Sequence, residues 1–242
     1  MFHVKQDQAP DAPEQAAALF GDRLPLARRY VELLLDSGVE RGLIGPHEAG
    51  RVWERHVLNC AVVGELIPQG TRVVDVGSGA GLPGIPLSLA RPDLEIVLLE
   101  PMARRVEWLA EVAAELGLAL QVDRGRAEEP AVRKRWEGTD VVVARAVAPL
   151  ARLAAWTLPL LRPGGELLAI KGQSAPAEVA RDRAAVRAAC GGSPRVVQCG
   201  VDLLDPPATV VVVPRLSDAR PGQRGGPVRS RRAGRRDRER KT

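Results

Sequence analysis

The sequence predicts an α/β protein in which five parallel strands alternate with helices, an antiparallel C-terminal hairpin closes the sheet, and helices precede it. Three observations carry this reading. From Gly70 onward, short β-branched or leucine-rich runs alternate with stretches of helical spacing. Near-continuous apolar strands separated by helices mark a parallel sheet covered on both faces. The two strands within the last runs, PRVVQCGVDL and ATVVVVPR, are joined by about six residues including Asp205-Pro206-Pro207, too few for a crossover helix, so they pair antiparallel. Finally, a glycine-rich segment follows the first strand, where open α/β sheets bind their ligands.

In chain order, residues 1–14 are polar and read as disordered. Residues 15–68 read as a helical segment packed on the core. Its first helix spans Gln15 to Asp36 on Ala18, Leu19, Leu26, Tyr30, Leu33 and Leu34, with a break at Pro25. Gly38, Gly42 and Gly45 punctuate a loop. A second helix runs from about Pro46 to Ile67 on Trp53, Val57, Leu58, Ala61, Val62 and Leu66, and Pro68 and Gly70 close it. Residues 69–214 form the α/β core. Its strands are RVVDVG, EIVLLE, ALQVDRG, DVVVARA and GELLAIKG, followed in turn by helices at Pro86–Ala90, Ala103–Leu116, Glu128–Trp136, Leu150–Leu161 and Ala177–Ala189. Residues 215–242 are a basic tail without aromatic side chains, expected to be disordered.

Composition bounds the function. Of 242 residues, 45% are apolar and 27% charged, as in ordinary soluble proteins. No apolar run approaches the roughly 18 residues that span a bilayer, and the N-terminus lacks the plan of a secretory signal. A cytoplasmic protein is expected. Cys60, Cys190 and Cys199, with His3, His47 and His56, form neither a disulfide framework nor a zinc-ligand spacing, so no metal is expected. The net charge of +5 hides an asymmetry: residues 215–242 carry +8 and the remainder −3. The tail is either an arm that gains affinity by displacing counterions from phosphates or an unselected extension. Arginine outnumbers lysine 31 to 4 along the whole chain, which favours a coding bias over selection for phosphate recognition.

The chemistry is concentrated after the first strand, in Asp75-Val-Gly77-Ser-Gly79-Ala-Gly81-Leu-Pro83-Gly84. Two patterns overlap there. Gly79-x-Gly81-x-x-Gly84 fits a dinucleotide loop, and Asp75-x-Gly77-x-Gly79-x-Gly81 fits the loop of S-adenosylmethionine-dependent methyltransferases. The dinucleotide pattern needs its third glycine inside a helix aimed at a pyrophosphate. That helix would run through Pro83 and Pro86, and a proline beyond the first turn costs roughly 3 kcal/mol. A helix starting near Ile85 or Pro86 after a long glycine loop suits S-adenosylmethionine better. Glu100 ends the second strand, where a carboxylate can take both hydroxyls of a ribose. Gly125-Arg126-Ala127-Glu128 follows the third strand, where acceptors can read an adenine. Arg145 closes the fourth, opposite the loop, and a charge ending the run VVVA is costly to bury unpaired.

With these residues in view, the chain resembles the ribosomal RNA small-subunit methyltransferase G family, also called glucose-inhibited division protein B. The resemblance rests on Arg55-His56-Val57-Leu58-Asn59, VVDVGSGAGLPGIPLSLARPD, GRAEE, VVVARAVAPL and LRPGGELLAIKG, in order over about residues 15–214. It implies a class I methyltransferase fold and transfer of a methyl group from S-adenosylmethionine to N7 of a guanine in 16S ribosomal RNA, free or in an assembling 30S subunit. It also implies Gly77, Leu82, Ala127, Glu128 and Arg145 as cofactor residues, beside Gly79 and Glu100 read from the loop and strand end. Where many members carry Asp-Ser, this chain has Asn59-Cys60. Arg55, His56 and Lys171 are candidate RNA contacts.

No residue is singled out as catalytic. The turn after the fourth strand, Ala-Arg-Ala-Val-Ala-Pro, lacks the motif of exocyclic-amine methylation, and no cysteine ends a central strand as cytosine C5 chemistry requires. A ring nitrogen such as N7 has a free lone pair and needs no general base; placement supplies the acceleration. Two alternatives stay open at the level of sequence: a nicotinamide-dependent oxidoreductase, and a non-enzymatic RNA-binding module on the same fold.

Overall fold

The computed structural model describes residues 10–38 and 41–217. Most of the expected disordered N-terminus and nearly all of the basic tail lie outside the described residues. The sheet has seven strands: β1 (Arg72–Val76), β2 (Glu95–Glu100), β3 (Gln121–Arg124), β4 (Thr139–Arg145), β5 (Leu161–Lys171), β6 (Arg195–Cys199) and β7 (Ala208–Pro214). Their order is β3-β2-β1-β4-β5-β7-β6. The first five are mutually parallel, with Val74 beside Val97 and Val142. β7 runs antiparallel to β5 and to β6, with Ile170 opposite Val210. The expected architecture is present.

Strand periodicity divides the core in two. Val73, Ile96, Leu98, Val143, Leu168 and Val210 point to one face; their chain neighbours Val74, Val97, Leu99, Val142, Leu167 and Val211 point to the other. On the first face lie α1 (Glu14–Phe20), α2 (Leu24–Leu33), α3 (Asn59–Ala61), α4 (Gly84–Ala90) and α5 (Ala103–Glu115). On the second lie α6 (Pro130–Trp136), α7 (Leu150–Thr157) and α8 (Ala175–Ala188). Both faces of the strands are therefore apolar, which is why they read as unbroken hydrophobic runs.

Three boundaries differ from the sequence reading, each for a physical reason. The first helix breaks at Gly21, whose φ of +47° ends α1, whereas Pro25 sits in the first turn of α2, where no N–H is missed. α4 begins at Gly84, so Pro86 also falls in a first turn. β5 begins four residues early, at Leu161, because Thr139 pairs with Leu161 and Val141 with Glu166 across a bulge. The bulge holds Pro163, Gly164 and Gly165, residues an unbroken ladder tolerates poorly. The second helical stretch is a mixed one: a 3₁₀ turn at Pro46–Arg51, a π-helical Val52–Leu58, α3, then a 3₁₀ turn at Val62–Leu66. Among the described residues no helix is long and apolar enough to cross a membrane.

Candidate active site

The strand order reverses between β1 and β4, and in open α/β sheets the crevice outside such a switch point takes the ligand. The chain leaves β1 through Gly77, Gly79 and Gly81, at φ +74°, +58° and +102°. A Cβ on Gly77 would stand 2.8 Å from Val147 Cγ2, just past β4, so the two turns close on each other there. Above Gly79 a Cβ would meet nothing nearer than 3.7 Å. The loop offers its backbone to open space at that point.

Two rings fix the loop from behind. The Ala80 carbonyl accepts the Tyr30 hydroxyl at 3.0 Å and the Trp108 indole N–H at 3.1 Å. Both rings are fully covered, so the N-terminal helices and α5 together hold the loop. Sequence reading placed Tyr30 only as a core residue and did not single out Trp108. Beneath the loop, Asp75 is completely buried. Its Oδ2 accepts the Gly84 N–H at 3.0 Å, while Oδ1 has no hydrogen-bond partner. Burial pushes its carboxyl from 3.8 up to about 7, against the opposing pull of the Gly84 N–H.

Glu100, at the end of β2, is 1% exposed. Its Oε2 accepts the Gly79 N–H at 2.9 Å and its Oε1 the Met102 N–H at 3.0 Å, which leaves each oxygen a second lone pair. The Arg105 guanidinium stands 3.9 Å away, and the Met102 side chain is exposed beside it. After β3, Ala127 is buried and Glu128 half-buried. Gly77, Gly79, Leu82, Glu100, Ala127 and Glu128 thus share the carboxyl edge of β1, β2 and β3. Leu82 is half-buried, its N–H given to Ser78 O at 3.0 Å.

Arg145 ends β4 and turns toward the N-terminal helices. Its Nη1 donates to Cys60 Sγ at 3.4 Å, and its Nη2 donates to Arg55 O at 3.1 Å and to His56 Nδ1 at 2.6 Å. The next residue, Ala146, has φ +55°, a left-handed conformation that costs a non-glycine residue about 1–2 kcal/mol. Lys171, at the end of β5, donates to Ala148 O at 2.9 Å and pairs with Glu178 at 3.0 Å, and the same Glu178 oxygen takes the Leu150 N–H. Lys171 therefore ties α7 and α8 to the sheet edge. A cleft of about 670 Å³ opens beside this edge, on the β4–β5 side of the crevice. Arg51, Arg55, Arg145 and Lys171 give its lining a cationic character, beside the neutral Asn59 and the acidic Glu54 and Asp205. Among the described residues no His, Cys, Asp and Glu side chains gather in a group fit for a metal ion.

The dinucleotide alternative fails on this geometry. Gly84 is the first residue of α4, and the Asp75 carboxylate already caps its N–H. The Asp75 side chain occupies the position from which a helix N-terminus would bind pyrophosphate.

The model of one protein family, described as rRNA small subunit methyltransferase G, matches residues 23–202. The chain belongs to this family. A ribosomal RNA small subunit methyltransferase G of Mycobacterium marinum is 57% identical over 217 residues, covering 90% of this chain and 95% of the relative. Two solved structures show the same fold. One is a S-adenosylmethionine-dependent methyltransferase of Aquifex aeolicus, with TM-score 0.51 and 17% identity over 73% of this chain and 96% of that one. The other is a fibrillarin of Aeropyrum pernix solved with S-adenosylmethionine, with TM-score 0.50 and 22% identity over 66% and 74%. Membership in the methyltransferase G family also leaves the oxidoreductase and non-enzymatic readings without support. The Asn59-Cys60 pair belongs to the site: Asn59 lines the cleft and Cys60 receives Arg145.

Proposed function

We propose that the chain transfers a methyl group from S-adenosylmethionine to N7 of a guanine in small-subunit ribosomal RNA, free or in an assembling subunit, in the cytoplasm. The observation that carries this reading is the pairing of two sites across β4: a glycine-lined crevice with carboxylates at Asp75 and Glu100, and a cationic cleft next to it.

The residues present fit the cofactor. Glu100 would take the ribose hydroxyls, its carboxylate already aimed by the Gly79 and Met102 N–H groups. Ala127 and the exposed Met102 side chain would flank the adenine, with Glu128 at its edge. The buried Asp75 carboxyl, with one oxygen unpartnered, can give up its proton as a cationic ligand arrives and so balance that ligand's charge. When bound, the cofactor supplies a methyl group on a positively charged sulfur.

The protein's remaining task is to present the base. The cleft has room for one nucleotide turned out of its stack, and Arg51 and Arg55 in its lining suit the flanking phosphates. With the cofactor held at Gly79 and Glu100, the N7 lone pair would take its methyl group in line, the N–C bond forming as the S–C bond breaks and the positive charge passing to the purine. No proton leaves N7, so no base is required of the chain. Alignment in an enclosed site supplies the rate.

Incubation with labelled S-adenosylmethionine and undermodified 16S RNA, followed by nucleoside analysis, tests the reading. Label in 7-methylguanosine is expected; label in another nucleoside, or none, overturns it. A second expectation concerns the loop support. Tyr30→Phe leaves Ala80 O to Trp108 alone, and losing one buried hydrogen bond worth about 1 kcal/mol should weaken cofactor binding roughly five-fold. Calorimetric titration checks this, and unchanged affinity would separate Tyr30 from the loop.

A further inference from the structure

We infer that His56 is a positioning residue: held neutral as its Nε2–H tautomer by Glu48, it aims the Arg145 guanidinium at the cleft, so that a proton on His56 disengages Arg145. The inference rests on the methyl-transfer reading above only for its kinetic consequence. The geometry stands by itself.

A guanidinium has five N–H donors and no acceptor. Its 2.6 Å contact with His56 Nδ1 therefore requires that nitrogen to be unprotonated. The proton of the neutral ring then lies on Nε2, which donates to Glu48 Oε2 at 2.8 Å. The side chain of His56 is 12% exposed, so neither nitrogen is left to water or RNA. Three acceptors from one helical stretch, Arg55 O, His56 Nδ1 and Cys60 Sγ, engage three of the five Arg145 donors. An Nε–H and an Nη1–H remain for a ligand in the cleft that Arg145 lines.

The charged groups facing the ring make the arrangement one-sided. Glu48 comes from the preceding turn, Arg55 from the ring's own helix and Arg145 from β4; Arg51 acts on Glu48, and Cys60 and Tyr30 lie within reach of the Arg145 charge. Burial first, then the Arg145 charge, holds the imidazole below its usual 6.5, while Glu48 is held down by the bond it accepts. Both shifts favour a neutral ring beside an ionised carboxylate. As pH falls below about 6.5, a proton on Nδ1 sets donor against donor and cation against cation. Arg145 then loses one of its three anchors at the end of β4, next to Ala146.

Asparagine and glutamine separate this role from simple packing. Neither titrates in this range, and an asparagine Oδ1 stands near the place of Nδ1, whereas glutamine reaches toward Nε2. His56→Gln should lower turnover at saturating cofactor and RNA about ten-fold, with His56→Asn recovering much of that loss. The limb of the pH profile that falls below pH 6.5 should vanish in His56→Asn, while any limb from Asp75 near 7 persists. Nitrogen-15 NMR of the imidazole should show the Nε2–H tautomer, and Arg145→Gln should move its titration upward toward 6.5. Equal turnover in the Asn and Gln variants, an unaltered acid limb, or an Nδ1–H tautomer overturns the inference. If wild-type protein leaves ribosomal RNA unmethylated, the functional reading fails while the NMR result still decides the tautomer and its coupling to Arg145.

Discussion

Replacing Gly79 with valine is expected to abolish cofactor binding while the domain stays folded. At φ +58° a β-branched residue is strained by about 1–2 kcal/mol, a fraction of the roughly 5–15 kcal/mol that stabilises a domain. The nearest atom to the added Cβ is Gly77 O at 3.7 Å, an ordinary van der Waals contact, so the Cβ itself adds no clash to the strain. The valine also keeps the N–H that Glu100 accepts. What it changes is the open space in front of the loop, where a branched side chain would fill the approach to the backbone. Gly81 and Gly84 serve as the contrast. A Cβ there would collide with Ile85 and with Leu98, so those substitutions attack packing instead of binding. Calorimetry on Gly79→Val should show affinity lower by about 100-fold or more, about 2.7 kcal/mol, with circular dichroism unchanged. Binding at wild-type strength would remove the glycine loop from the site.

That experiment probes a part of the molecule that sequence makes legible, because it depends on short-range rules. The near-continuous apolar runs mark a buried parallel sheet, and the glycines after β1 and Glu100 after β2 fall at its carboxyl edge wherever the helices end. Contacts between distant segments are another matter. Tyr30 and Trp108 meet at Ala80 from positions 50 and 28 residues away, and Arg145 finds His56 across 89 residues. No periodicity or local propensity encodes such pairings; they follow from how the N-terminal helices lie on the sheet. His56 and Lys171 show the limit most clearly. Both read as candidate RNA contacts, and both stand in hydrogen-bonded ties inside the fold, to Glu48 and Arg145 and to Ala148 and Glu178. Arg55 is the member of that group whose side chain is half-exposed at the cleft. Boundaries fail for a related reason: β5 starts at Leu161 because β4 offers it a bulged partner, a property of the pair and not of either segment.

Asp75 should make the free protein less stable as pH rises. Its carboxyl is raised from 3.8 to about 7 in the folded state, chiefly by burial. Folding therefore favours the protonated form. The stabilisation from that neutral carboxyl is fully present below pH 3.8, declines by about 1.4 kcal/mol per pH unit, and is gone above about 7. Over the whole window the change approaches about 4 kcal/mol, an upper figure for a single buried group. Asp75→Asn has no such titration. Its carbonyl can still accept the Gly84 N–H, and its amide replaces an oxygen that has no partner. The stability difference between wild type and Asp75→Asn should thus move in favour of the variant as pH rises from 5 to 7. Urea denaturation at half-unit intervals measures it directly. A cationic cofactor in the crevice should act in the opposite sense, stabilising the ionised carboxylate, so its binding to wild type near pH 6.5 should release a proton that Asp75→Asn does not release. Calorimetry in buffers of different ionisation enthalpy counts that proton. A stability difference that stays constant from pH 5 to 7, together with equal proton release in the two proteins, would mean that Asp75 is already ionised in the folded chain and that the field beneath the loop does not change when the cofactor arrives.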